Sequence, residues 1–92
     1  MFNWNDLESF LTLSRCCKLN NASKKLKIES TTIARRILRL EDKLETKLFV
    51  RSNNAYILTD SGQKLLKYAE NIETEAISIN EHFLNKSPNL SG

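Results

Sequence analysis

Apolar residues recur along most of this chain at helical spacing, and one stretch with an opposite polar face organises the reading of the rest. Between residues 30 and 44, in STTIARRILRLEDKL, Ile33, Ile37, Leu40 and Leu44 fall four, three and four apart, a single stripe along an α-helix turned towards a core. The other side carries Ser30, Thr31, Ala34, Arg35, Leu38 and Arg39, with Arg36 on the flank. Upstream, Leu7, Phe10, Leu11 and Ser14, widened by Leu13 and Cys17, predict a first helix over about 4–17. Asn3 or Asn5 is its expected cap, and Trp4 and Phe10 are expected core anchors. A short second helix is expected to start at a cap on Asn20 and to end near 27, with Ala22, Ser23 and Leu26 inward and Lys24, Lys25 and Lys27 at the surface. The break at 27–29 is short, so the second and third helices must be joined by a sharp turn.

After Leu44 the period changes. Leu48 to Arg51 and Tyr56 to Thr59 are two β-prone runs flanking Asn53-Asn54, a pair that tolerates the positive φ of a tight turn, and they predict a β-hairpin. From residue 60, Leu65, Ala69, Ile72, Ala76, Ile79 and Phe83 repeat at four, three, four, three and four, an unbroken heptad stripe on a long helix. Residues 85–92, with Ser, Pro, Asn and Gly, predict a linker or frayed end. The expected architecture is mainly α: a winged helix-turn-helix over 1–59, a long linker or dimerisation helix over 60–85, and the start of a linker at 86–92.

Charge sharpens this picture. The 92 residues carry a net +3, but residues 15–51 alone hold eleven Lys or Arg against Glu29, Glu41, Asp42 and Glu45, a net of +7, flanked by segments of −2 on each side. A basic middle suits a polyanion held on one face. Small hydroxyl residues one turn ahead of arginines allow close approach to base edges in a DNA major groove, and a guanidinium can bind guanine in bidentate fashion. Ser30, Thr31, Ala34 and Arg35 are therefore the expected base readers. Arg36, Arg39 and Arg51, with the wing-tip amides Asn53 and Asn54, are the expected backbone contacts. The heptad stripe predicts a homodimer. A winged helix that recruits a protein partner, with an incidental basic face, is the competing reading; seven net positive charges in one segment argue against it.

Catalysis finds no support. With Gly62 and Gly92 alone there is no phosphate-binding glycine loop, and the single histidine, His82, and the scattered carboxylates form no catalytic set. The neighbouring Cys16 and Cys17 predict no metal site; one or both are expected to be buried free thiols. The start MFNWNDLESF has neither a basic region nor an uninterrupted apolar run, so the expectation is a cytoplasmic protein without a membrane span.

The order of elements, with Leu19, Ala22, Leu26, Thr32-Ile33-Ala34-Arg35-Arg36-Ile37, Leu40-Glu41, Leu44, Leu48-Phe49-Val50-Arg51, Leu58-Thr59 and Gly62 in place, resembles the N-terminal DNA-binding domain of LysR-type transcriptional regulators. The resemblance covers essentially the whole chain. It implies double-stranded DNA as partner, an imperfect palindrome read by a dimer, and a tetrameric full-length protein. It also implies a missing effector domain that binds a small-molecule inducer, with no cofactor in this fragment. Arg35 matches a base-contacting position of the family, and Thr31 and Ala34 match groove-facing ones. Several positions depart from the pattern. Glu29-Ser30-Thr31 stands where Ser-Gln-Pro or Ser-Gln-Ala is common, which makes Ser30 the expected helix cap. Ala34 replaces a frequent serine, Glu45 a usual glycine, and Asn54 a frequent wing-tip arginine.

Overall fold

The computed structural model describes residues 1–84, and the linker expected over 86–92 lies outside them. Helix α1 (Trp4–Cys16) starts at Asn3, whose side-chain oxygen accepts from the Asn5 amide at 2.7 Å. Helix α2 (Leu19–Leu26) starts two residues earlier than expected, with Lys18 rather than Asn20 at its cap and no side-chain capping bond. Helix α3 (Ser30–Leu44) has the expected span. Its cap is Glu29, again without a side-chain bond, so the hydroxyl of Ser30 is not used for capping. That hydroxyl instead donates to Oδ1 of Asn20 at 3.3 Å.

All three helices end on a residue in the left-handed conformation, and none of the three is glycine: Cys17 (φ 67°), Lys27 (φ 58°) and Glu45 (φ 55°). The Glu45 amide donates to Asp42, and the Thr46 amide reaches back to Glu41 at 3.1 Å, a Schellman-type end. A Cβ in this region is strained, and Glu45 makes no ion pair among the described residues that offsets the cost. Glu45→Gly is therefore expected to stabilise the fold by about 1 kcal/mol, read as a rise of roughly 4–8 °C in melting temperature. A fall would show that the Glu45 side chain has a stabilising contact.

Strands β1 (Phe49–Ser52) and β2 (Ala55–Leu58) pair antiparallel with Val50 opposite Ile57 and Arg51 opposite Tyr56. Asn53 and Asn54, at φ 51° and 65°, form the two-residue turn that their side chains tolerate. The hairpin is fastened to the helices through its backbone. The Tyr56 amide donates to the carbonyl of Cys17 at 2.7 Å, and the Leu48 amide donates to the Glu41 carboxylate at 2.8 Å. Glu41 is thus buried for a reason: its charge satisfies an amide at the point where the chain leaves α3 for the wing.

The core is Leu7, Phe10, Leu11 and Leu13 of α1, Ala22 of α2, Ile33, Ile37 and Leu40 of α3, with Leu48, Phe49 and Ala69 closing it. Leu44, expected in this stripe, is exposed at the end of α3, and Trp4, expected as a core anchor, is 41% exposed. Neither cysteine is fully buried: Cys16 is half-buried and Cys17, pushed outward by its left-handed backbone, is exposed.

Helix α4 (Asp60–Leu84) divides the heptad stripe in two. Ala69 is completely buried, and Leu65 packs against the core of its own domain, so these two are withdrawn from the expected dimerisation set. Arg15 of α1 clamps the same stretch through Glu73 at 2.7 Å. Every described position from 74 to 84 is exposed. The hydrogen bond from Arg15 holds the Glu73 carboxyl below its ordinary range. A carboxylate with a lowered folded pKa stabilises above its unfolded value and loses that contribution as pH falls through the folded one. The clamp is therefore expected to open only as pH falls below the ordinary glutamate range, with faster amide exchange in the middle of α4. Glu73→Gln should show that faster exchange at neutral pH already; equal exchange in the two proteins would assign no restraint to the pair.

Candidate nucleic-acid interface

Local sequence makes α3 a helix, and the apolar stripe Ile33, Ile37 and Leu40, all buried, decides which side of it remains outside. On the outer side Thr31 and Arg35 are exposed and Ala34 is half-buried. Among the described residues the Arg35 guanidinium makes no hydrogen bond or ion pair, whereas its neighbours do. Arg36 donates to the hydroxyl of buried Ser9 at 3.4 Å. Arg39 grips Asp6 with two bonds, 2.6 Å from Nη2 and 2.8 Å from Nε. Among the described residues the three arginines of α3 divide into one without a partner, Arg35, and two directed onto α1.

The Arg39 pair is the tightest of these contacts. Asp6 is 1% exposed, and a carboxylate there needs a partner. Hydrogen bonding and the negative charge of Asp6 both push the Arg39 pKa up. Arg39 is thus a strap between α1 and α3, with its side chain still 48% exposed. Arg39→Ala is expected to lower the melting temperature by several degrees, and Arg39→Ala with Asp6→Asn to recover part of the loss. If the double variant melts no higher than the single one, the strap is not what the arginine contributes. A sequence signal for Asp6 existed: it stands in line with Phe10 and Leu13, an acid inside an apolar face.

The wing brings Arg51 beside this surface. Its guanidinium lies 4.7 Å from the centre of the Tyr56 ring. Tyr56 meets Phe49 edge-on at 5.7 Å, and Phe49 contacts Phe10 of the core at 5.4 Å. An aromatic ladder therefore runs from the core to the exposed arginine and orients it. Between α3 and the wing lies a groove of about 510 Å³ bordered by Ala34, Leu38, Val50 and Arg51. Asn53 and Asn54 are exposed at the tip of the hairpin. Ser30, expected to face a base, is half-buried with its hydroxyl committed to Asn20. The spacing of polar residues gave no hint of Asn20 in this role, because the two residues meet only across the turn between helices.

Among the described residues there is no group of three or more His, Cys, Asp or Glu arranged to hold a metal, and no helix is long and apolar enough to cross a membrane.

Comparison with known proteins points to one family. A profile described as bacterial regulatory helix-turn-helix protein, lysR family, matches residues 4–63. The transcriptional activator IlvY of Salmonella typhimurium is 30% identical over 87 residues, covering 95% of this chain. The chain spans 30% of the length of that relative. Among solved structures, the DNA-binding domain of CbnR in complex with DNA superposes with a TM-score of 0.81 at 25% identity, covering 88% of this chain and 93% of that one. OxyR of Corynebacterium glutamicum in its oxidised form reaches 0.83 at 29% identity, covering 89% of this chain and 26% of that one.

Proposed function

The chain belongs to the LysR family of bacterial regulatory helix-turn-helix proteins, and from that premise we propose that it reads a specific operator by laying the first turns of α3 in the DNA major groove. The observation that carries this reading is the separation of roles among the arginines of α3. Arg35 stands free beside Thr31 and Ala34, while Arg36 and Arg39 hold the helix on its scaffold. A reading side chain needs both: an uncommitted fork of donors and a rigid base to aim it. Thr31 and Arg35 are the base readers in this proposal, with Ala34 offering a methyl contact to thymine. Arg51 and the amides of Asn53 and Asn54 lie against the sugar-phosphate backbone. Ser30 acts through Asn20 instead of touching a base.

Two copies pair through the distal part of α4, where Ile72, Ile79 and Phe83 are 40%, 60% and 60% exposed and Ala76 continues the stripe. Pairing would set two recognition helices on successive turns of an imperfect palindrome. The domain over 1–59 is then the reader and 60–85 the pairing helix, within a cytoplasmic regulator that assembles as a tetramer when whole. The similarity to a transcriptional activator and to a DNA-bound domain supports this assignment, and a role in regulation leaves no catalytic step to explain.

Selection of duplexes from a random pool at near-physiological salt, followed by sequencing and a salt titration, tests the reading. An inverted repeat with half-sites about one helical turn apart, bound with steep salt dependence, is the expected result. A pool that stays random while binding remains salt-sensitive would leave only a nonspecific anchor and favour a protein-recruiting winged helix.

A further inference from the structure

A second basic recess lies on the other side of Arg51, where the start of α2 meets the wing. Its walls include Lys18, Asn20, Arg51, Asn54 and Tyr56, and its volume is about 370 Å³. No acidic residue lines it. The ion pairs of the described residues use Arg15, Arg39 and Lys47, so Lys18 and Arg51 have no counter-charge. Lys18 also occupies the cap position of α2, whose first turn holds no acid. A cation is disfavoured there by the helix dipole. Two cations from separate elements, converging without an anion among the residues around them, leave an electrostatic cost that a bound anion removes.

The amide of Asn20 adds direction. Its oxygen accepts from the Ser30 hydroxyl, which leaves the two N–H donors of its nitrogen for another partner. Asn20 thus connects the recess to the first residue of α3. The Tyr56 ring, under the Arg51 guanidinium, keeps the second cation in place.

We propose that this recess holds one phosphate of the DNA backbone in each half-site, bound by Lys18, Arg51 and the Asn20 amide, and that the Ser30–Asn20 hydrogen bond ties that phosphate to the register of α3. The proposal rests on the DNA-reading assignment and deepens it. A backbone phosphate suits the site better than a free one because the recess is walled by the wing, which is assigned to the duplex, and by Asn20, which meets the first residue of α3. Phosphate contacts carry no sequence information themselves, but they decide which bases the recognition helix can reach.

The test is a scan with the selected duplex in which each phosphate of a half-site is replaced, one at a time, by an uncharged methylphosphonate. The wild-type chain is expected to lose about tenfold in affinity at one position. Lys18→Ala is expected to bind the unmodified duplex more weakly, with a salt slope shallower by about one, and to lose less than the wild type at that one position, where Arg51 and Asn20 remain. Asn20→Ala and Ser30→Ala should be non-additive with the same methylphosphonate and no other. Lys18 and Asn20 are exposed, so unchanged melting temperatures are expected, and the methylphosphonate leaves the protein untouched in any case. If the losses from Lys18→Ala and from the methylphosphonates add at every position, the recess holds no phosphate. If that additivity accompanies a clear selected operator, only this proposal falls; if the wild-type chain selects no operator at all, the DNA-reading assignment falls with it.

Discussion

Arg35→Ala is expected to cost about 1–3 kcal/mol of binding to the selected operator and to relax the preference at one base pair of each half-site. Both effects follow from the same geometry. The Arg35 guanidinium is exposed and free of partners within the described residues, so removing it leaves the fold unchanged and takes away one bidentate fork. The proper comparison is Arg51→Ala, which should weaken binding to all duplexes about equally, because a phosphate contact does not distinguish bases. Arg39→Ala would be a misleading comparison, since Arg39 is bound to Asp6 and its loss disturbs the packing of α1 on α3. Competition binding with the operator and its single-base variants measures the effect. If Arg35→Ala and Arg51→Ala lose the same factor on every duplex, Arg35 does not read a base.

A second large effect is expected at Gly62, where stability rather than recognition is at stake. A Cβ on this residue would stand 2.2 Å from the carbonyl oxygen of Leu48 and 2.9 Å from Cδ2 of Leu58. The leucine side chain can yield; the carbonyl cannot easily do so. It accepts the Thr59 amide at 3.0 Å, and the amide of the same Leu48 is held by Glu41. The helix start is held as well, because the Gly62 amide donates to the Thr59 hydroxyl at 3.0 Å, and that hydroxyl donates to the carbonyl of Lys47 at 2.6 Å. With both sides pinned, Gly62→Ala is expected to cost roughly 3 kcal/mol, a fall of about 10–20 °C in melting temperature. Urea denaturation of the variant measures it directly. A loss below about 1 kcal/mol would mean that α4 can move away from the wing without penalty.

The wing and α4 are therefore coupled through Thr59, which the sequence marked as the end of a β-prone run, and Gly62, which it marked only by likeness to a family. The physical reason for the glycine appears once the carbonyl of Leu48 is seen to face it. The wing turn was readable directly, since Asn53-Asn54 between two β-prone runs has one common solution, and its positive φ angles are found. The span of α3 was equally readable from Ile33, Ile37 and Leu40. The stripe on α4 was read correctly as apolar and incorrectly as a single surface, because periodicity does not say where one partner ends and another begins. Ala69 is covered by its own domain, and Ile72 is already partly in solvent.

Sequence by itself determined what depends on neighbours a few residues away: helical periods, the tight turn, the concentration of positive charge between Arg15 and Arg51, and the family to which these belong. Only the tertiary structure decided which of the charged residues are free. Asp6 reaches Arg39 across 33 positions, Ser30 reaches Asn20 across ten, and Arg15 reaches Glu73 across 58. A long flexible cation has no fixed partner in an unfolded chain, and local spacing cannot assign one. The crossing of α1, α3 and α4 brings particular carboxylates within reach, and the strength of each pairing then decides which arginines are left over for DNA.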